Sequence, residues 1–284
     1  MARPAAFPPL TAPLKRALVG QVRALFHDQA RGEKPVQRKA DGLFGPDSAA
    51  WRVHGDVTSM MVGGVAALLL QMLHPGALAG VWDFSDFRQD MLGRLRRTAR
   101  FIALTTYGGQ AEATEAIARI RAVHDRVSGT LPDGTPYDAN DPHLLNWVHV
   151  SESICFLEGW LRYVEPDMPA AEQDRYFAEV AVIAQMLGAR DVPDSRATIN
   201  AYIARTRPEL RYDDRTRTVA KLLLDQPPTS RAAAPFQRLT LRAGVDLLPG
   251  WAKAMHGFPR TSLTTPLVRA GTGGIGRTIR WAFR

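Results

Sequence analysis

A stretch of 26 residues without a formal charge, 57–82, constrains the fold of this chain more than any other feature. An apolar segment of this length either spans a bilayer or is covered by the rest of the chain. Polar residues and glycines interrupt it, and Pro75 disfavours helical structure at His74, so the helix should end there. We therefore expect a buried helix in the core of a larger helical domain, not a membrane span.

The remainder of the 284-residue chain also has helical patterns, and strand signals are scarce. Apolar residues make up 45% and charged residues 23%, which is typical of globular proteins and excludes disordered or low-complexity chains. The spacing predicts a helix over 85–107 with Ser85 as its N-cap, and another over 142–163 with Asp141 as its cap. Asp133-Gly134 predicts a small hairpin between helices.

The expected architecture is all-α, a single large helical domain over 45–255 with a buried pocket. A basic segment with one helix is expected before it, at 1–44, and a basic flexible tail after it, at 256–284. The run GTGGIG (271–276) has the glycine content of a phosphate-binding loop, but it follows no predicted strand and is assigned to the tail.

The single cysteine, Cys155, excludes an internal disulfide and every multi-cysteine zinc or iron–sulfur site. A reducing compartment is the usual context for such a chain, and residues 1–18 contain no apolar core of a secretory signal. We therefore expect a cytoplasmic location.

The net charge of +8 comes from the two ends, since residues 1–40 and residues 247–284 each carry +6. A nucleic-acid-binding protein would usually carry its basic residues on a folded element with interleaved aromatic residues, so no nucleic-acid partner is expected. Solvated, solubilising ends are one interpretation, and peripheral contact with an acidic surface is another.

His124 is the most informative histidine. On a helix it shares one stripe with Ala113, Ile117, Ile120 and Val127, so the imidazole projects from an apolar face. A buried imidazole needs a partner. That partner is either a backbone carbonyl, as in an ordinary core histidine, or a bound ligand.

On the preceding helix, Arg97 and Thr98 lie three and four residues after Arg94, so the three side chains share one side of the helix, close to an apolar stripe. Arginine suits a buried carboxylate, although a solvated basic face is the alternative interpretation. A flat, apolar, iron-centred ligand with carboxylates at one edge would satisfy both helices, and haem has this chemistry. The chain has no Cys-x-x-Cys-His motif, so attachment would be non-covalent.

Four segments, in this order, resemble the latex-clearing protein family, which joins rubber oxygenases with the catalytic domain of a mycophenolic-acid pathway oxygenase. They are QMLHPGALAGV (71–81), RLRRT (94–98), AVHDRVSGTLPDGTPYDANDPHLLNWVH (122–149) and GARDVPDS (188–195). The resemblance covers roughly 45–255 and implies an all-α protein that binds haem b and uses dioxygen. It places His124 at the family's proximal iron ligand, and Arg94 and Thr98 at its arginine and threonine near the haem.

Two departures from the family pattern concern the substrate. The rubber-cleaving branch can use a lysine just before the threonine as distal ligand, whereas this chain has Arg97, whose guanidinium stays protonated and cannot coordinate iron. That branch also has a glutamate base upstream of the arginine, and no glutamate occurs between residues 60 and 100 here. These departures argue against polyisoprene. We expect an apolar small-molecule substrate, with Arg97 and Thr98 as catalytic residues that hydrogen-bond to oxygen or position that substrate.

Two further histidines are candidates for the lining of the same pocket. His74 lies at the end of the apolar helix and either lines the pocket or caps neighbouring carbonyls, and His149 lies on the helix after Asp141. The sequence thus predicts a haem b-dependent oxygenase or oxidase with iron held by His124. The alternatives are a non-catalytic haem sensor or carrier and a haem-free helical domain that binds lipid or a partner.

Overall fold

The computed structural model describes residues 12–13, 15–16, 19–20, 35–228, 230–231 and 233–283. Between residues 35 and 283 it contains twelve α-helices, one short 3-10 helix at Arg207–Glu209 and one two-stranded sheet. The α-helices are α1 (Ala49–His54), α2 (Val57–Gln71), α3 (Pro75–Phe84), α4 (Met91–Tyr107), α5 (Gln110–His124), α6 (Pro142–Tyr163), α7 (Ala170–Leu187), α8 (Arg196–Thr206), α9 (Asp214–Leu224), α10 (Ala234–Leu247), α11 (Gly250–His256) and α12 (Thr265–Phe283). The all-α prediction is confirmed.

Helix α2 lies at the centre of the domain, as the uncharged stretch predicts. It packs most extensively on α6, and α10 and α12 also contact it. Glycines allow the close approach to α6, because a Cβ on Gly63 would be 2.8 Å from the carbonyl oxygen of Cys155, and one on Gly159 would be 2.7 Å from that of Ser59. Within the described residues, no single helix has the length and apolarity of a membrane span, although α2 and α3 together have both across a bend of 103°.

Side-chain caps define where several helices begin. Asp56 accepts a hydrogen bond from Ser59 N at the start of α2, and Asp141 accepts one from His143 N at the start of α6, as predicted. The prediction of one helix over 85–107 is wrong at its start. Ser85 is instead the C-cap of α3, and α4 begins at Met91 because Asp90 provides the N-cap through Gly93 N.

The predicted hairpin is present. Strands β1 (Ser128–Thr130) and β2 (Pro136–Asp138) pair antiparallel, and Gly134 in the turn has a φ of 88°, which favours glycine. The hairpin joins α5 to α6 and packs through Tyr137 and Val127 against Ala79 of α3. It therefore fixes the carboxyl end of α5, where His124 is the last helical residue.

The carboxyl-terminal residues differ from the predicted flexible tail. Residues 265–283, including the GTGGIG run, form α12, which buries Val268 and Ile279 and packs on α10 and α2. Arg280 donates to Asp56 Oδ2 at 2.8 Å, and Arg269 donates to Asp246 Oδ2 at 2.7 Å. The apolar positions of 265–283 follow a helical period, and these ion pairs add to the contacts that hold the helix on the domain. Of the predicted amino-terminal segment, 1–44, residues 1–11 and 21–34 lie outside the described residues, and the described ones between 12 and 20 are helical.

Candidate functional site

His124 lies at the carboxyl end of α5, on the predicted apolar stripe. Ala113 and Ile117 of the same stripe are buried, and the His124 imidazole is partly buried. Its Nδ1 is fully enclosed and has no hydrogen-bond partner among the described residues. Burial lowers the pKa of His124, so the imidazole is neutral near pH 7 and keeps a free lone pair. The backbone-carbonyl partner of an ordinary core histidine is therefore not present at Nδ1.

Helix α4 packs chiefly on α5, and only Met91, Thr105 and Thr106 of its residues are buried. Arg94, Thr98 and Thr105 lie on one stripe of this helix, at steps of four and seven residues. Thr105 is buried whereas Thr98 is exposed, so the stripe is uncovered at the Thr98 end. The face of α4 that carries the predicted arginine and threonine therefore borders space that other helices do not fill.

Arg94 is partly buried, and its guanidinium donates to Ser85 Oγ at 3.3 Å. Burial lowers the pKa of Arg94, as does the charge of Arg97, while Glu152 raises it. An arginine nevertheless stays protonated, so Arg94 brings a partly buried positive charge to this region.

Arg97 has a different environment from the predicted one. Its guanidinium is exposed and pairs with Asp86 at 2.7 Å and with Asp90 at 3.5 Å. These two carboxylates lie in and beside the cap of α4, so the ion pairs hold Arg97 at the outer edge of the helix. Sequence periodicity alone did not reveal these partners, because the turn between α3 and α4 was predicted to be helical.

His149 and Glu152 face the same region from α6, where they are three residues apart on one side of the helix. Burial lowers the pKa of His149 to about 4, and its Nε2 is enclosed without a hydrogen-bond partner in the described part of the chain. Both side chains nevertheless remain partly accessible. Deep placement combined with partial access is expected of residues that line an interior cavity.

Sequence reasoning missed the role of Glu152. Its carboxylate accepts a hydrogen bond from Gln71 at 3.1 Å and interacts electrostatically with Arg94. Burial raises the pKa of Glu152, and the contacts with Gln71 and Arg94 lower it. An acidic residue on an otherwise apolar stretch of helix was the available signal. Thus α6 brings a carboxylate to Arg94 in a chain that has no glutamate between residues 60 and 100.

His74 belongs to a different cluster. It is the N-cap of α3, where its Nδ1 accepts from Gly76 N at 3.2 Å, and its Nε2 lies 3.4 Å from Glu209 Oε2. Burial lowers the pKa of His74 and the contact with Glu209 raises it, with a net lowering. The structure therefore supports the capping interpretation of His74, although its hydrogen bond goes to an N–H and not to carbonyls.

Two open depressions lie on the surface of the described part of the chain. One, of 770 Å³, is lined by the first turns of α5 with Lys39 and Asp41, and the other, of 460 Å³, is lined by Arg121, Asp125 and others beyond the end of α5. Both are open to solvent, and neither is lined by His124, Arg94, Thr98 or His149. The better candidate is formed by α4, α5 and α6, where α4 packs on α5 and Glu152 of α6 interacts with Arg94. These helices carry unpaired imidazole nitrogens, a partly buried cation and partly uncovered apolar side chains.

Comparison with known proteins identifies the family of this chain. The sequence matches the family described as "ER-bound oxygenase mpaB/B'/Rubber oxygenase, catalytic domain" over residues 51–281, which is most of the chain. No curated protein and no solved structure gave a significant match. The matched range includes α2 to α6 and extends through almost all of α12. The chain therefore belongs to the family of mpaB and rubber oxygenase catalytic domains.

Proposed function

We propose that this protein is a haem b-dependent oxygenase that acts on an apolar small molecule with dioxygen, and that His124 is the iron ligand. Membership of an oxygenase family supports the reaction class. The observation that carries the cofactor proposal is the enclosed imidazole of His124, whose Nδ1 lacks a partner among the described residues. A haem would supply the redox chemistry with dioxygen, and the protein would supply binding and orientation.

The residues of this region fit a haem in three respects. The neutral imidazole of His124 has the protonation state that metal ligation requires. Arg94 is a partly buried cation of the type that pairs with a propionate. Leu95 and Ile102 of α4 pack only partly against the core and offer apolar contact to a flat ring.

The remaining polar residues suit the substrate side. Thr98 offers a hydroxyl on the uncovered part of the Arg94 stripe, where it would hydrogen-bond to an entering molecule. His149 is neutral near pH 7 because burial lowers its pKa to about 4, so it would donate or accept one hydrogen bond without adding charge. Glu152 would balance the charge of Arg94 while that arginine is not paired with a propionate.

The visible absorption spectrum tests the cofactor proposal directly. The protein, expressed with added haem precursor, should show a Soret band at a stoichiometry near one haem per chain, and His124→Ala should lose it. His143→Ala is the matched control, because His143 Nε2 pairs with Glu209 and not with a residue proposed to hold the haem, so the band should be unchanged. A His124→Ala protein that folds and keeps its Soret band would contradict the assignment of the ligand.

Oxygen uptake separates an oxygenase from a haem sensor or carrier. Loaded protein is incubated with a reductant and a panel of apolar substrates, and substrate-dependent oxygen consumption is the expected result. The same measurement with Arg94→Gln should show less haem per chain, because a propionate loses its cationic partner. Stoichiometric haem without substrate-dependent oxygen uptake over the whole panel would favour the sensor or carrier.

A further inference from the structure

The geometry points to a second site, a divalent transition-metal site formed by His74, His143 and Glu209, which are not among the residues proposed to hold the haem. The ligand atoms are the Nε2 atoms of the two histidines and a carboxylate oxygen of Glu209, and all lie within 4.8 Å of one another. Two imidazoles and a carboxylate are a donor set that suits Zn²⁺ or Fe²⁺.

The distances between the ligand atoms are close to those around a bound metal ion. His143 Nε2 lies 2.8 Å from Glu209 Oε2, and His74 Nε2 lies 3.4 Å from the same oxygen. A tetrahedral ion with bonds of about 2.0–2.1 Å holds its ligand atoms about 3.4 Å apart. Small side-chain adjustments therefore convert this cluster into a ligand set.

The contacts of Tyr202 orient His143 for metal binding. The Tyr202 hydroxyl donates to the His143 carbonyl oxygen at 2.8 Å, so its oxygen can accept from His143 Nδ1, which is 3.0 Å away. With the proton on Nδ1, a neutral imidazole presents the bare Nε2 to the Glu209 carboxylate. Two lone pairs at 2.8 Å require a cation between them, either a proton or a metal ion.

His74 needs one proton rearrangement to join this set. Its Nδ1 now accepts from Gly76 N at the start of α3, which places the proton of the neutral ring on Nε2, towards Glu209. Metal ligation through Nε2 moves that proton to Nδ1, and the cap hydrogen bond is lost. Any proton held between His143 and Glu209 is released to solvent, so binding should strengthen as pH rises.

The three ligands come from segments that other contacts already hold together. Asp141 is the N-cap of α6, and its side chain accepts a hydrogen bond from His143 N at 2.8 Å. This contact holds the backbone of His143 in place. Arg211 N donates to Leu73 O at 2.7 Å, which holds the chain after the 3-10 helix against the turn that carries His74. Glu209 and His143 remain partly exposed, so an ion can enter and solvent can complete its coordination.

Metal binding is measured on protein without a polyhistidine tag, after dialysis against a chelator. Titration calorimetry with Zn²⁺ should give one site per chain, and Co²⁺ should give the visible absorption of a four-coordinate site. His143→Ala and Glu209→Gln should each weaken Zn²⁺ binding by at least about tenfold, and Tyr202→Phe should weaken it by about tenfold through the lost orienting contact. Glu115→Gln, on the exposed face of α5, is the carboxylate control and should bind like the unchanged protein.

The outcomes distinguish this site from the proposed haem site. His124→Ala should keep its Zn²⁺ affinity, and His143→Ala should keep its haem. Absence of Zn²⁺ and Co²⁺ binding, or equal affinity in the unchanged protein, His143→Ala and Glu209→Gln, would overturn the proposal. Circular dichroism and the melting temperature of each variant confirm that it is folded before binding is measured.

Discussion

His54 is enclosed between α1, α4 and α7, and both of its ring nitrogens are paired. Nδ1 lies 2.9 Å from Thr106 Oγ1 and Nε2 lies 2.9 Å from Tyr176 Oη. Burial lowers the pKa of His54 from 6.5 to about 3. The unfolded chain therefore takes up a proton near pH 6.5, whereas the folded protein does not do so until about pH 3.

This difference predicts that the free energy of unfolding decreases as pH falls from about 6.5 towards 3, by about 1.4 kcal/mol per pH unit for this one histidine. Above pH 6.5, the contribution of His54 to the free energy of unfolding does not vary with pH, because the imidazole is neutral in both states. Urea denaturation at several pH values measures the slope. The variant His54→Asn keeps a hydrogen-bond donor and an acceptor but cannot take up this proton, so its free energy of unfolding should depend less on pH in this range. If the pH dependence is the same in the variant as in the unchanged protein, the prediction is contradicted.

At the same scale, sequence periodicity predicted the apolar stripe that carries His124, since Ala113 and Ile117 are buried, whereas the stripe of Arg94 is only partly covered because Thr98 is exposed. It could not predict that Glu152 interacts with Arg94, because that contact joins two helices far apart in sequence. The ion pairs of Arg97 with Asp86 and Asp90 depend on a turn whose geometry the pattern did not reveal.

Among the described helices, α2 and α6 share the most extensive contact, and glycines allow their backbones to approach closely. A methyl group on Gly159 would lie 2.7 Å from the Ser59 carbonyl oxygen, which belongs to helical backbone and cannot move aside. Gly159→Ala should therefore lower the free energy of unfolding by about 1–3 kcal/mol through overpacking, despite the higher helix propensity of alanine.

Gly274 in α12 is the matched control for this prediction, because a Cβ there meets no atom within 4 Å. Gly274→Ala should leave stability unchanged or raise it by up to about 1 kcal/mol. Urea denaturation of both variants at one pH provides the comparison. Equal effects of the two substitutions would show that helix propensity, and not the approach of α2 to α6, decides the outcome.

The elements themselves were predictable where a cap and an apolar period coincided. Helix α6 begins and ends as predicted because Asp141 and Pro142 mark its start and its apolar residues continue to Tyr163. Helix α4 was predicted six residues too early, because both Ser85 and Asp90 are good caps and only the tertiary fold selects between them.

For the molecule as a whole, Asp246 connects four helices through its buried carboxylate. Arg162 of α6, Lys253 of α11 and Arg269 of α12 all pair with it, at 3.0, 3.5 and 2.7 Å. Burial raises the pKa of Asp246, but these cations lower it to below its usual value. The Lys253 ammonium is itself buried, so the carboxylate is needed to compensate its charge.

Asp246→Asn should lower the free energy of unfolding by about 3 kcal/mol, because a buried lysine loses its anionic partner. Thermal and urea denaturation measure the loss. The double variant Asp246→Asn/Lys253→Met should recover part of it, since it removes the uncompensated charge as well. A single variant as stable as the unchanged protein would show that solvent already compensates these cations.

Helix α12 covers the central helix together with α10, and Arg280 pairs with Asp56, the N-cap of that helix, 224 residues earlier in the chain. During synthesis, the apolar surface of α2 therefore emerges from the ribosome before α6, its most extensive partner, and long before α10 and α12. The domain can complete its core only after residue 283 has been released. We expect the apolar surface of α2 to be exposed in the interval, so the yield of the protein in a cell should fall when chaperones are limiting.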